Sequence, residues 1–233
     1  MIDLYYAPTP NGWKVAIMLE ECGLPYQARF LDIFHGAQLT PGFLAISPNA
    51  KMPAIVDHGG NGGAIPVFES GAILWYLAEK TGRFMSNDPI ARKETMEWLF
   101  WQTGNQGPMA GQLAHFRMFG PTGGQDYALK RYRGEYERSL AVLERRLRQD
   151  EFIVGSYSIA DMLAFPWAFI AKNLDVSLEP FPEVKRWRET IKARPAVQRA
   201  IALMKERQNK GEHNSGNNTT LYNQSARHLL DIG

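Results

Sequence analysis

The sequence predicts a mixed α/β domain of order β-α-β-β-β-α over residues 1–82, followed by an all-α domain over 90–208. Three observations carry this reading. Strand and helix patterns alternate through the first eighty residues, the stretch from Thr81 to Pro89 interrupts them, and from Ile90 onward apolar residues recur at helical spacing.

Ile2 to Tyr6 reads as the first strand. After the turn at Thr9-Pro10-Asn11-Gly12, Val15, Met18, Leu19 and Cys22 fall at i, i+3, i+4 and i+7, one face of a helix. Tyr26, Ala28 and Phe30 alternate as a half-buried strand does. Ala54-Ile55-Val56 and Val67-Phe68 flank the glycine-rich "DHGGNGGAI", which predicts a hairpin, and the next helix turns Ile73, Leu74 and Leu77 inward. A parallel crossover plus a hairpin implies a mixed sheet covered by helices.

The clearest helix of the second part carries Leu129, Tyr132, Tyr136, Leu140, Leu143 and Leu147 at steps of three and four. In "SIAD", Ser158 is placed to cap a helix, with Asp161 reaching back from its first turn. Pro182 and Pro195 each stand where a helix can begin. Residues 209–233 are polar and rich in glycine and asparagine, the composition of a poorly ordered tail.

With 233 residues, 45% of them hydrophobic, the chain is long enough to bury a core without metal or disulfide staples. A net charge of +2 gives no electrostatic case for nucleic acid or an anionic membrane. No apolar run approaches the ~18–20 residues that span a bilayer, and the N-terminus carries no signal-peptide pattern. A single cysteine builds neither an internal disulfide nor a cysteine metal site, so the expected address is cytoplasmic and no metal is expected.

Most reactive residue types fall away on inspection. Cys22 lies on the apolar face of its helix, about three turns from the positively charged end that would lower its pKa. The five histidines, His35, His58, His115, His213 and His228, show no ligand spacing. No nucleophile elbow, phosphate loop or dinucleotide fingerprint is present. The aromatic run Met96, Trp98, Leu99, Phe100, Trp101 reads as core and interface packing.

Three spots remain. Thr9 and Asn11 stand at a helix N-terminus, where free N–H groups and the dipole favour negative charge, although both residues also serve as ordinary N-caps. Met52-Pro53 precedes a strand; a cis proline there would leave the Met52 backbone free to pair with an extended ligand. Glu69-Ser70 closes a strand and opens a helix, so Ser70 offers a second anion site and Glu69 an acceptor for an ammonium. Together they suit a short zwitterionic peptide whose thiol reaches the Thr9–Asn11 turn.

The strings "MPAIVDH", "FESGAILWYLAEK" and "YSIAD", in this order with the all-helical second half, resemble the cytosolic glutathione transferases over roughly residues 1–205. "TPNGWKV", "ISPNAKMPAIVDH" and "WLFWQTGNQGPM" resemble the Nu class and the related bacterial disulfide-bond oxidoreductases, and are also similar to the transferase-like domain of a yeast nitrogen-regulation prion protein. The resemblance implies a thioredoxin-like first domain that binds glutathione, a helical domain with a second-substrate pocket, and a homodimer. It implies that Thr9 and Asn11 hold the glutathione sulfur, that Met52 pairs with the cysteinyl backbone before Pro53, and that Glu69 and Ser70 hold the γ-glutamyl end. Gln38 and Lys51 fall where the family grips the glycyl end, and Arg131 where it reaches the partner subunit's ligand. One or two glutathiones are implied as cosubstrate.

On this reading the ligand brings the nucleophile that the turn lacks. A free thiol with pKa near ~8.5 is mostly protonated at neutral pH, and donors at Thr9 and Asn11 favour its thiolate. The thiolate then attacks a disulfide, with a second glutathione resolving the mixed disulfide, or equally an electrophilic carbon of a small substrate, which is conjugation; disulfide reduction is the favoured reaction. Two alternatives stay open at the level of sequence: a non-catalytic glutathione-binding regulatory module, and an enzyme acting on peroxides or aryl β-ether bonds.

Overall fold

The computed structural model describes residues 1–60, 62–119, 123–209 and 229; the expectation for the tail beyond residue 208 falls almost wholly outside them. The α/β-then-all-α class expected from the sequence is the one observed. By packing, the chain divides into two compact units, 1–77 together with the chain from Pro195, and 78–194.

In the first unit, strands β1 (Ile2–Tyr6), β2 (Tyr26–Phe30), β3 (Ala54–Gly60) and β4 (Gly63–Phe68) form one mixed sheet in the order β2-β1-β3-β4. β1 runs parallel to β2 and antiparallel to β3, and β3 pairs antiparallel with β4. The parallel pair needs a crossover, and helix α1 (Pro10–Cys22) supplies it. Its apolar face, with Val15, Ile17, Met18 and Leu19, is fully buried, and Gly23 ends it in the left-handed conformation at φ 65°. After β2 come a single 3-10 turn at Ala37–Leu39 and the short helix α2 (Pro41–Leu44). Helix α3 (Ser70–Thr81) follows β4 and buries Ile73, Leu74 and Leu77 completely.

In the second unit, α4 (Pro89–Trp101) and α5 (Gly107–Phe119) are joined by a π-helical turn at Gln102–Gln106, within the "WLFWQTGNQGPM" stretch. α6 (Asp126–Leu147) buries Tyr136, Leu140, Leu143 and Leu147, with Leu129 and Tyr132 half-buried. α7 (Ile159–Phe169) starts at the expected capping box, Ser158 as N-cap and Asp161 returning to it. α8 (Pro182–Lys192) and α9 (Pro195–Asn209) both begin at the prolines read as starts. α9 lies in the stretch 90–208, yet it packs on α1: Val197 and Ala200 are fully buried, and Arg199 pairs with Glu20 at 2.6 Å. A helix joins whichever apolar surface it can cover, wherever it stands in the chain.

Candidate functional site

The end of β1 with the start of α1, the approach to the first residue of β3, and the end of β4 with the start of α3 carry the three spots singled out above. Thr9 is the N-cap of α1 in extended backbone (φ −122°, ψ 163°), and its Oγ1 accepts the Gly12 N–H at 3.4 Å. This uses one oxygen lone pair and leaves the hydroxyl proton to point elsewhere. It points at sulfur: Thr9 Oγ1 donates to Met52 Sδ at 3.6 Å, and the Ala7 N–H donates to the same atom at 3.3 Å. The capping and sulfur-holding readings of Thr9 are therefore compatible, because they use different parts of one hydroxyl. Asn11 is half-buried in the first turn of the same helix.

Met52 and Pro53 are joined by a cis peptide bond, with Met52 half-buried and Pro53 buried. Met52 packs against a small core of Ala7, Leu31, Ile33, Phe43 and Ala54. Lys51 is exposed, and its carbonyl accepts the Ser47 hydroxyl at 2.9 Å. Gln38 is 1% exposed; its Nε2 donates to the Ile33 carbonyl at 3.0 Å, while Oε1 is buried with no partner among the described residues. Glu69 is exposed and holds φ 67°, a left-handed conformation unusual for a residue with a Cβ, and its carbonyl accepts the Ile73 N–H at 2.9 Å. Ser70, buried, is the first residue of α3. Arg131, on α6 in the other unit, is exposed and paired with Glu135, which also takes Arg138 at 3.2 Å.

Cys22 is half-buried at the last residue of α1. The carbonyl end of a helix disfavours a thiolate, which agrees with setting this cysteine aside as a nucleophile. Among the described residues no group of three His, Cys, Asp or Glu is placed to hold a metal ion, and no helix is long and apolar enough to cross a membrane.

Residues 9–80 match the N-terminal domain of glutathione S-transferases, and residues 107–195 match their C-terminal domain. The chain belongs to the glutathione S-transferase family. Among its relatives is the disulfide-bond oxidoreductase YfcG of Escherichia coli K12, 48% identical over 204 residues that cover 86% of this chain and 94% of the relative. A glutathione transferase from Burkholderia graminis, solved with two glutathione molecules bound per subunit, superposes with TM-score 0.79 at 45% identity, covering 86% of this chain and 87% of that one. One from Pseudomonas putida, solved with one glutathione disulfide bound per subunit, superposes with TM-score 0.82 at 43% identity, covering 86% and 90%.

Two side-chain environments in this transferase escaped the reading of its sequence. Lys14 is 2% exposed in the second turn of α1; burial pulls its ammonium down to about 7, and the Glu69 carboxylate holds it up against that pull. The signal was present, since Lys14 stands three and four residues before Ile17 and Met18 on the buried face. The second is the Met52 thioether as partner of Thr9. It joins residues 43 positions apart, and no local pattern announces such a contact.

Proposed function

We propose that this glutathione transferase is a disulfide-bond oxidoreductase in which bound glutathione supplies the nucleophile. The observation that carries it is the Thr9 hydroxyl, anchored by Gly12 N–H and with its proton already directed at a sulfur atom. A thiolate is a far stronger acceptor than a thioether, so an arriving glutathione sulfur takes that proton from Met52. Thr9, Asn11 and the N-terminus of α1 stabilise the thiolate over the thiol. Each unit by which they lower its pKa corresponds to ~1.4 kcal/mol of that preference.

The thiolate attacks one sulfur of a disulfide substrate; a mixed disulfide forms and the other sulfur leaves as thiolate. A second glutathione thiolate then attacks the mixed disulfide at the glutathione sulfur, giving glutathione disulfide and the second substrate thiol. The two glutathiones in the Burkholderia graminis structure and the glutathione disulfide in that from Pseudomonas putida support this stoichiometry.

In this reading residues 1–82 bind glutathione. The Met52 backbone before Pro53 pairs with the cysteinyl residue, Glu69 and Ser70 hold the γ-glutamyl end, and Gln38 and Lys51 serve the glycyl end. Residues 90–208 supply the second-substrate pocket. A cytoplasmic homodimer completes it, with Arg131 reaching the partner subunit's glutathione. Phe100, 69% exposed, and Met96 on α4 give apolar surface for the partner.

The test is steady-state reduction of 2-hydroxyethyl disulfide by glutathione, coupled to recycling of glutathione disulfide and corrected for the uncatalysed rate. Turnover is expected, and Thr9→Ala combined with Asn11→Ala should lower it by about tenfold or more, the value of a charge-assisted hydrogen bond. Glutathione binding without turnover would overturn the proposed reaction. An unchanged rate in the double variant would remove those two residues from it.

A further inference from the structure

We infer that Met52 is an oxidation site whose sulfoxide shuts down the thiol-binding turn. The inference rests on the reading that Thr9 holds the glutathione sulfur. The Met52 thioether takes both the Thr9 hydroxyl proton and the Ala7 N–H, at 3.6 and 3.3 Å, and the residue is only half-buried. As a thioether it is a weak acceptor that yields the hydroxyl to a thiolate.

A peroxide changes this balance. A sulfur lone pair attacks one peroxide oxygen, the S–O bond forms as the O–O bond breaks, and the departing hydroxide leaves as water after taking up the other peroxide proton. The sulfur is oxidised and the peroxide reduced. The product oxygen is polar and a strong acceptor, bonded to the atom that both donors already face. It keeps the single proton of Thr9, because the other bond of that hydroxyl is the acceptance from Gly12 N–H. The glutathione thiolate loses its donor and meets an oxygen dipole in its place.

Hydrogen peroxide is added to the wild type, Met52→Leu and Cys22→Ser without glutathione and removed with catalase. Each variant's disulfide-reduction rate is then divided by its own untreated rate. Because the chain has nine methionines, peptide mass spectrometry resolves the sulfoxide at Met52. Wild type and Cys22→Ser should lose about tenfold in step with Met52 oxidation, the value of one charge-assisted hydrogen bond. Methionine sulfoxide reductases should restore the wild type, and Met52→Leu should keep most of its rate.

Loss of wild-type activity with Met52 still reduced, an intact rate with Met52 oxidised, or equal fractional loss in Met52→Leu would each overturn the inference. The wild-type correlation and its enzymatic reversal decide the matter even if Met52→Leu does not fold. Untreated Thr9→Ala separates the two readings. If it turns over as wild type does, the thiol-site reading fails. If it is slow while Met52→Leu is inactivated like wild type, the oxidation site alone fails.

Discussion

A Cβ added to Gly12 would stand 2.4 Å from the carbonyl oxygen of Ala7. No real Cβ approaches backbone so closely, and neither side can yield freely, since Ala7 is wholly buried and its carbonyl also accepts the Thr9 N–H at 2.7 Å. The start of α1 is therefore seated directly against the end of β1, and glycine is what allows it. Gly12→Ala is expected to destabilise the protein by about 1–3 kcal/mol, the usual range for overpacking, and to lower disulfide-reductase turnover as Thr9 shifts. A urea titration and the coupled assay check the two effects, and an unchanged midpoint would show that the turn relaxes.

Lys14 makes stability depend on alkaline pH. Its native ammonium releases a proton near pH 7, whereas in the unfolded chain it does so near 10.5. Between these values the unfolded state binds more protons, so this residue's contribution to stability rises with pH. Lys14→Met keeps an apolar stem without the titration. The stability of wild type relative to Lys14→Met should shift by about 2 kcal/mol in favour of wild type between pH 7 and pH 9. Urea midpoints at the two values test this, and a pH-independent difference would mean that Lys14 keeps its charge in the fold.

Asp161 has the opposite dependence. Burial pushes its carboxyl up to about 6, against four donors that favour the anion: Ile153 N–H, Trp187 Nε1–H, and the N–H and hydroxyl of Ser158. Between pH 6 and the ordinary carboxylate value of 3.8 the native state binds more protons, so its contribution to stability grows as pH falls through that window. Asp161→Asn should destabilise at pH 7 by about 1–3 kcal/mol, because an amide turns donors toward donors. The deficit should widen by roughly 1 kcal/mol at pH 5, since wild type alone gains from the proton. Equal deficits at both values would rule out a titrating Asp161.

Phe100 offers a direct test of assembly. It is exposed on α4, with Met96 one turn before it. Phe100→Glu would place a charge in any interface that covers this face, which costs several kcal/mol per ion. Light scattering should then show a monomer where wild type is a dimer, with the helical content by circular dichroism unchanged. A dimer in both would place the subunit contact elsewhere.

The elements were legible because their signals are local. Val15, Met18 and Leu19 repeat at a helical period, Tyr26, Ala28 and Phe30 at a strand period, and Ser158 with Asp161 forms a capping box within one turn. The side-chain environments of the candidate site were not legible in this way. Gln38 directs its amide to the Ile33 carbonyl rather than outward, and Lys14, a residue type that usually reaches solvent, is enclosed.

By itself the sequence determined the four strands, the helices that follow Asn11 and Glu69 and the starts of α7, α8 and α9, that a mixed sheet precedes a helical half, and, through its motifs, the glutathione S-transferase family. These follow from periodicity and turn chemistry, which act between residues a few positions apart. The sequence did not announce α2 or the turns at Ala37–Leu39 and Gln102–Gln106. The tertiary structure alone decided that α9 packs on α1, that Met52 sulfur faces the Thr9 hydroxyl, and that Lys14 lies buried under the influence of Glu69. Such contacts arise only when the sheet closes and distant segments exclude water together, so no short window of sequence contains them.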